Sequence, residues 1–289
     1  MIAAGHEGPL SKTVDCRFAV LGTPRRIWAV ASIHASLQKL NSVHENIFNN
    51  FRPGDRLVYL GNYTGYGQHS REVINALLSF RRCLLSRPGV IPSDIVYLRG
   101  TQEEMWQKLL QLQFAPNPKQ IMEWMLSQGV AQTMESYGVD ILEAQRVCCE
   151  GIMRLARWTE NLRQTVYKNP GHDIFGSQLK RAAYTECAFK ISQKTSSPHS
   201  PLLFVNAGID HSRSLEDQGD RFWWGDSHFK SMTLPYSPFK KVIRGFDPQG
   251  NGVNLNCFTA TLDNNCGRGG SLVFAEIAAD GEFLNLMEA

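Results

Sequence analysis

Short apolar runs alternate with three- and four-residue apolar spacings through the first third of this chain. RIWAVAS (26–32) is unbroken enough to predict a strand. Behind it Leu37, Leu40, Val43, Ile47 and Phe51 recur at the spacing of one helical face. Pro53 and Gly54 punctuate the end of that helix. RLVYL (56–60) predicts the next strand, and Val73, Leu77, Phe80 and Leu84 mark the helix after it. IVYL (95–98) predicts a third strand, followed by a helix from about Glu103 to Leu112. Alternation of this kind builds an α/β layer with parallel strands.

From about 115 to 185 the β-branched runs thin out, and segments such as IMEWMLSQG and LEAQRVCCEGIMRLARWTENLRQ read as helical. That stretch is expected to be an insertion in one domain spanning 26–289, with residues 1–25 as a tail and lead-in. SQKTSSPHSP (192–201) is a loop by composition. Strand character then returns in LLFVNAG (202–208), KKVIRG (240–245), NCFTATLD (256–263) and SLVFAEI (271–277). No crossover helix of comparable length separates the last of these, so the sheet is expected to be parallel early and antiparallel late. Met122, Trp124 and Met125 lie at helical spacing, with core burial expected.

Composition adds exclusions. A length of 289 residues, 43% hydrophobic and 20% charged, fits an ordinary globular protein. A net charge of +3 is too small to argue for nucleic acid or a membrane surface. No apolar stretch reaches the roughly 18 residues of a spanning helix, and the amino terminus lacks the apolar block of a secretory signal. Seven cysteines without a C-x-x-C arrangement read as reduced, buried thiols, and so as a cytoplasmic protein. CGRGG (266–270) lacks phosphate-loop spacing and is expected to be a tight turn.

Each predicted strand of the α/β layer runs into a polar corner: ASIHAS (31–36), GNYTGYG (61–67), RGTQEE (99–104), VNAGID (205–210) and IRGFDP (243–248). In open α/β sheets ligands gather beyond the carboxyl ends of the strands, so these corners are expected to converge. In order and spacing they resemble the motifs of the calcineurin-like metallophosphoesterases, closest to bacterial serine/threonine-type phosphatases and diadenosine tetraphosphatases. The family patterns G-D-x-H-G, G-D-x-x-D-R-G, G-N-H-E, H-A-G and G-H-T-P stand here as ASIHA, GNYTGYG, GTQE, NAG and GFDP. The resemblance runs from about Arg26 to Ile277. It implies a four-layer αββα sandwich of two mixed sheets, with the helical insertion over the corner side.

For activity the same comparison points the other way. The resemblance implies two metal ions that generate hydroxide and hold phosphate oxygens. At the positions of the family's ligands stand Ser32, His34, Asn62, Thr101, Asn206 and Phe246. Only His34 keeps the family's ligand type; a hydroxyl, two amides and a phenyl ring are poor partners for such ions. The family's catalytic histidine becomes Gln102, its phosphate-gripping arginine Tyr66, and the aspartate before it Gly65. Asp226 stands where another family arginine is implied, and Arg244 replaces a histidine. Glu103 alone matches, in an orienting role. The expectation is a pseudophosphatase with no cofactor, acting through an unidentified protein partner or a phosphorylated or nucleotide ligand. Asn62, Thr101, Gln102 and Asn206 are expected to satisfy one another, with a small anion as the alternative. Arg244 and Arg268 are expected in surface or structural roles, with shared recruitment of phosphate as the alternative. The rival reading is a weak or altered phosphoesterase with a non-standard metal site, a single divalent ion near His34 being its simplest form.

Overall fold

The computed structural model of the chain describes residues 15–186, 201–225 and 229–289. Strands β1 (Phe18–Val20) and β2 (Arg26–Val30) lead into helix α1 (Leu37–Asn50), then β3 (Arg56–Tyr59), α2 (Ser70–Leu85) and β4 (Ile95–Tyr97). A helical region follows: α3 (Thr101–Leu109), α4 (Pro118–Met125), α5 (Ala131–Ser136), α6 (Ile141–Val147), α7 (Ile152–Tyr167) and α8 (His172–Gln178). The chain then returns through β5 (Ala182–Tyr184), β6 (Leu202–Val205), the short α9 (Arg221–Trp224) and β7 (Lys241–Arg244). It closes with β8 (Asn254–Leu255), β9 (Thr259–Thr261), β10 (Val273–Ala278) and β11 (Phe283–Glu288).

The strands form two mixed sheets. One has the order β11-β10-β2-β3-β4, with β2, β3 and β4 parallel and β10 antiparallel to both its neighbours. The other has the order β1-β5-β6-β7-β9-β8, parallel from β6 through β9. Ile27, Trp28, Ala29 and Val30 are all buried because both faces of β2 are covered, which is why that strand reads as a continuous apolar run. A single buried cluster joins Ile27, Val58 and Phe274 of the first sheet to Leu202, Phe204 and Ile243 of the second, with α1 and α2 packed against it. The outer face of the second sheet is covered by Phe222 and Trp223 of α9 together with Phe229 and Phe239. The layers are therefore helix, sheet, sheet and a thin outer layer in which α9 is the only α-helix among the described residues.

Four strands lie outside the sequence reading. β1 falls in the lead-in before Arg26, β5 at the end of the stretch read as helical, β8 just before NCFTATLD, and β11 beyond Ile277. FAV and AAY are too short to carry a period, and Leu284 and Leu286 leave β11 without clean alternation. NCFTATLD pairs as β9 only over Thr259–Thr261. The expectation of buried thiols holds for Cys266 alone among the described cysteines; Cys16, Cys83, Cys149 and Cys257 are exposed. Cys16 lies beside the edge strand, and the others sit in a helix's last turn or in loops, where no core covers them. Met122 and Met125 are buried as expected, whereas Trp124 is partly exposed beside Trp224. Among the described residues no helix is long and apolar enough to cross a membrane.

His44 is the one histidine on the buried face of α1. Its ring stacks on Phe80 at 3.9 Å, and Nε2 meets the Tyr59 hydroxyl at 2.9 Å. Burial pushes its pKa from 6.5 down to about 3, so a proton binds the unfolded chain more readily than the folded one. Stability is unaffected above the ordinary histidine range and falls as pH drops through 6.5 toward 3. At about pH 5 this one group should cost ~2 kcal/mol. Urea titrations near neutrality and at about pH 5 check it: His44→Leu should lose less stability between the two than the parent does, by about that amount.

Candidate functional site

The carboxyl ends of β2, β3, β4, β6 and β7 meet in one place. Ser32 N donates to Gly245 O, and both Ile33 N and His34 N donate to Asn62 O. Gly245 N and Phe246 N donate to Asn206 O. The approach is close: a Cβ on Gly245 would lie 2.3 Å from Leu60 Cβ, and one on Gly100 would lie 2.3 Å from Asn62 Oδ1. Among the described residues, the non-glycine residues with positive φ are His34, Ala35, Asn62, Tyr66 and Asn265; the first four lie in the β2 and β3 corners and Asn265 in the loop after β9. Left-handed backbone at such residues costs of order 1–3 kcal/mol each and persists only where surroundings hold it.

Glu103 is the clamp. Its carboxylate accepts from Asn62 N at 2.8 Å, Tyr63 N at 2.8 Å and Gly100 N at 3.0 Å, tying the β3 corner to the start of α3. Burial raises its pKa, and those three backbone donors pull it back.

Around it the replaced residues bond to one another and to backbone. Asn62 Nδ2 donates to Ser32 Oγ at 3.2 Å, and Asn62 Oδ1 accepts from Gln102 N at 3.0 Å. Asn206 Nδ2 donates to Leu60 O at 2.6 Å, and Thr101 Oγ1 donates to Trp223 O at 2.5 Å. Gln102 Nε2 donates to Gln128 O at 2.7 Å. Gly65 leaves room for the Gln102 side chain, which would lie 2.3 Å from a Cβ there. The Tyr66 and Phe246 rings stand edge-on to His34, with centroids at 5.1 and 5.7 Å. Burial, partly offset by a hydrogen bond to the Thr64 backbone, pushes His34 down to about 4, so its ring is neutral near pH 7.

Between His34, Tyr66, Phe246 and Arg268 lies a cavity of about 20 Å³, room for about one water. His34 and Tyr66 also border an open groove of about 510 Å³ lined by Ser36, Asn41 and His69. His34 Nδ1, Gln102 Oε1 and Asn206 Oδ1 are buried and unpartnered. The amide and hydroxyl donors that an anion needs are engaged elsewhere, and two of the three free atoms are carbonyl oxygens that repel one. The buried amides and hydroxyls satisfy one another and nearby backbone, as expected, and are turned the wrong way to hold a small anion.

Arg244 takes the structural role expected of it. It is 2% exposed, with Nη2 3.0 Å from Asp247 Oδ1, Nε donating to Thr261 Oγ1 and Nη1 donating to Ala207 O. Its guanidinium lies 4.4 Å from the Phe229 ring centroid. Arg268, by contrast, is exposed. The two do not form a shared phosphate site, because the charge of Arg244 is spent on Asp247. Asp226 lies outside the described residues. CGRGG is a turn as expected, with a short 3-10 helix over Cys266–Arg268.

Three contributors escaped the sequence reading. Asp247, three residues after Arg244, was legible as a spacing in RGFD. Asp263 accepts from Asp247 N and Asn265 N. Gln128 and Gly129 belong to a π-helical turn, Leu126–Val130, that lays insertion backbone against Gln102 and Tyr66; Gly129 adopts φ 96° there. A glycine inside a helical pattern was the available signal.

The resemblance implies two divalent cations here, and these residues do not fit them. The positions offer one imidazole, a hydroxyl and two amides already hydrogen-bonded, a threonine turned toward Trp223, and a phenyl ring. Hard divalent ions at such a site need carboxylate charge to offset dehydration. Among the described residues no cluster of three His, Cys, Asp or Glu side chains could hold a metal.

No protein-family model matches the chain, and no curated protein matches it. Solved structures do. A candidate diadenosine tetraphosphatase superposes with a TM-score of 0.54 at 16% identity, covering 94% of this chain and 98% of that one. A serine/threonine phosphatase from Saccharomyces cerevisiae gives 0.48 at 16% identity, covering 94% and 82%. A metallophosphoesterase from Sphaerobacter thermophilus gives 0.42 at 12% identity, covering 92% and 88%. The chain has the α/β fold of the metallophosphoesterases.

Proposed function

We propose that this metallophosphoesterase-fold chain is a noncatalytic, cytoplasmic protein that acts by binding, with a protein partner as its target. The observation that carries this is the corner site. Where the resemblance implies metal ligands, the side-chain donors are bonded to each other or to backbone and are not available to coordinate an ion. A protein partner is favoured over a small phosphorylated ligand at the corner because two of the three unpartnered buried atoms there are carbonyl oxygens. The insertion offers apolar side chains to such a partner: Phe114, Leu142, Ile152 and Met153 are 79, 76, 65 and 73% exposed.

Metal analysis and turnover test the proposal together. Purified protein should carry far less than one divalent ion per chain, and with manganese and an aryl phosphate it should match the blank while an active phosphoesterase turns over. Activity abolished by Ser32→Ala and by His34→Ala would overturn the reading.

A further inference from the structure

A second cavity, of about 550 Å³, lies between the insertion and α2. It shares only the inner side of the β3 corner with the site above: Thr64 and Glu103 close its inner end, whereas His34 and Asn62 do not line it. We propose that this cavity binds a flat aromatic small molecule carrying an anionic group.

Its size falls within the few hundred to about 1,000 Å³ of small-ligand sites. One wall is an aromatic pair: Trp106 stacks on Tyr137 at 5.3 Å with 27° between the rings. That pair is held in place, since the Tyr137 hydroxyl meets His172 Nδ1 at 2.6 Å and His172 Nε2 meets Asn75 Oδ1 at 3.0 Å. A preordered ring wall takes a flat ligand at little entropic cost. Arginines supply the charge. Arg99 uses Nη1 on Glu104 at 3.1 Å, while its Nε and Nη2 have no acceptor among the described residues. Its guanidinium lies 5.9 Å from the ring centroid of Trp223, a residue outside the cavity lining. Arg163, on the same cavity, is pinned by Glu160 and by Leu110 O. Of the two carboxylates on the lining, Glu103 is bound by backbone N–H groups and Asp173 stands at the start of α8. A guanidinium with unengaged N–H groups on a cavity that also has an aromatic wall selects a carboxylate or phosphate attached to a ring system. The site stands independently of whether the strand corners are catalytic.

Gly176 gives a clean test. It lines the cavity on α8, and a Cβ there meets nothing within 4 Å, so alanine is accommodated without a clash and a longer side chain starts from open space. The probe is indole-3-acetate, with neutral indole-3-acetamide as its counterpart, followed by ligand-observed NMR and by calorimetry. Saturable binding of the acid, about tenfold tighter than the amide, is expected. Gly176→Ala should weaken it and Gly176→Leu abolish it, with the thermal midpoint of each held or raised. Arg99→Gln should collapse the preference for the acid while leaving the amide's affinity unchanged. Absence of saturable binding at millimolar acid, equal affinity for acid and amide, or binding unchanged in a folded Gly176→Leu protein would each overturn the proposal. Gly176→Ala keeps the test decisive if the leucine variant does not fold.

Discussion

Asp247→Ala is expected to cost about 3–5 kcal/mol of folding stability, among the largest losses available from one side chain in this protein. Asp247 is 2% exposed and faces Arg244, Lys230 at 2.8 Å and Asn251 Nδ2 at 3.0 Å. Burial alone would raise its pKa, but Lys230, Asn251 and Arg244 outweigh that and hold it down to about 2. The carboxylate is therefore ionised throughout the physiological range, and its removal takes from the buried Arg244 guanidinium the counter-charge it touches. Thr261 and Ala207 still accept from Arg244, and the Asp263 carboxylate still acts on it through space, but no carboxylate then contacts the guanidinium in a water-poor site. The double variant Arg244→Met with Asp247→Ala should be more stable than Asp247→Ala alone, because it removes the stranded cation as well. Urea unfolding of the three proteins measures this. A single-variant loss under about 1 kcal/mol, or a double variant no better than the single, would mean that Arg244 finds solvent or another partner and that the pair is not a structural charge lock.

The same pair marks where sequence reasoning stopped. Strands β2, β3 and β4 were legible because parallel strands covered on both faces leave unbroken apolar runs in the chain. The corners were legible through their order and spacing: glycines at 61, 65 and 100 stand where backbone or side chains approach too closely for a Cβ. What each substituted side chain turns toward was not legible. Thr101 sits at a ligand position of the resemblance, yet its hydroxyl points to Trp223 O, 122 residues along the chain. The pairing of Arg244 with Asp247 was not legible either, because residue type carries no information on pairing depth. The Phe246 ring stands against His34, a contact that sequence does not place. Short strands such as β5 were hidden because three residues define no period, and only pairing with β1 and β6 makes them strands.

Restoring the carboxylate that the resemblance implies should harm this protein. Asn62→Asp is expected to lower stability by ~4 kcal/mol near neutral pH. Asn62 is fully buried, its Nδ2 donates to Ser32, and its backbone N–H is already bound by the Glu103 carboxylate. The substitution removes a donor and places a second anion beside Glu103, whose own pKa burial has already raised. Gln102 N still donates to one oxygen, and Ser32 can turn its hydroxyl to donate to the other. That leaves the charge itself uncompensated. The introduced carboxyl should therefore titrate well above the usual range, so the stability gap between variant and parent should narrow as pH falls and the carboxyl protonates. Manganese separates the two readings of the site. In a true two-metal centre the carboxylate would bridge the ions, and metal would rescue the variant. Here Ser32, Asn206, Thr101 and Phe246 cannot complete the coordination, so millimolar manganese should move the variant's unfolding midpoint no more than the parent's. Saturable stabilisation of the variant by manganese, absent from the parent, would show that the corners still hold the geometry of a metal site, and that a single lost carboxylate separates this protein from an enzyme.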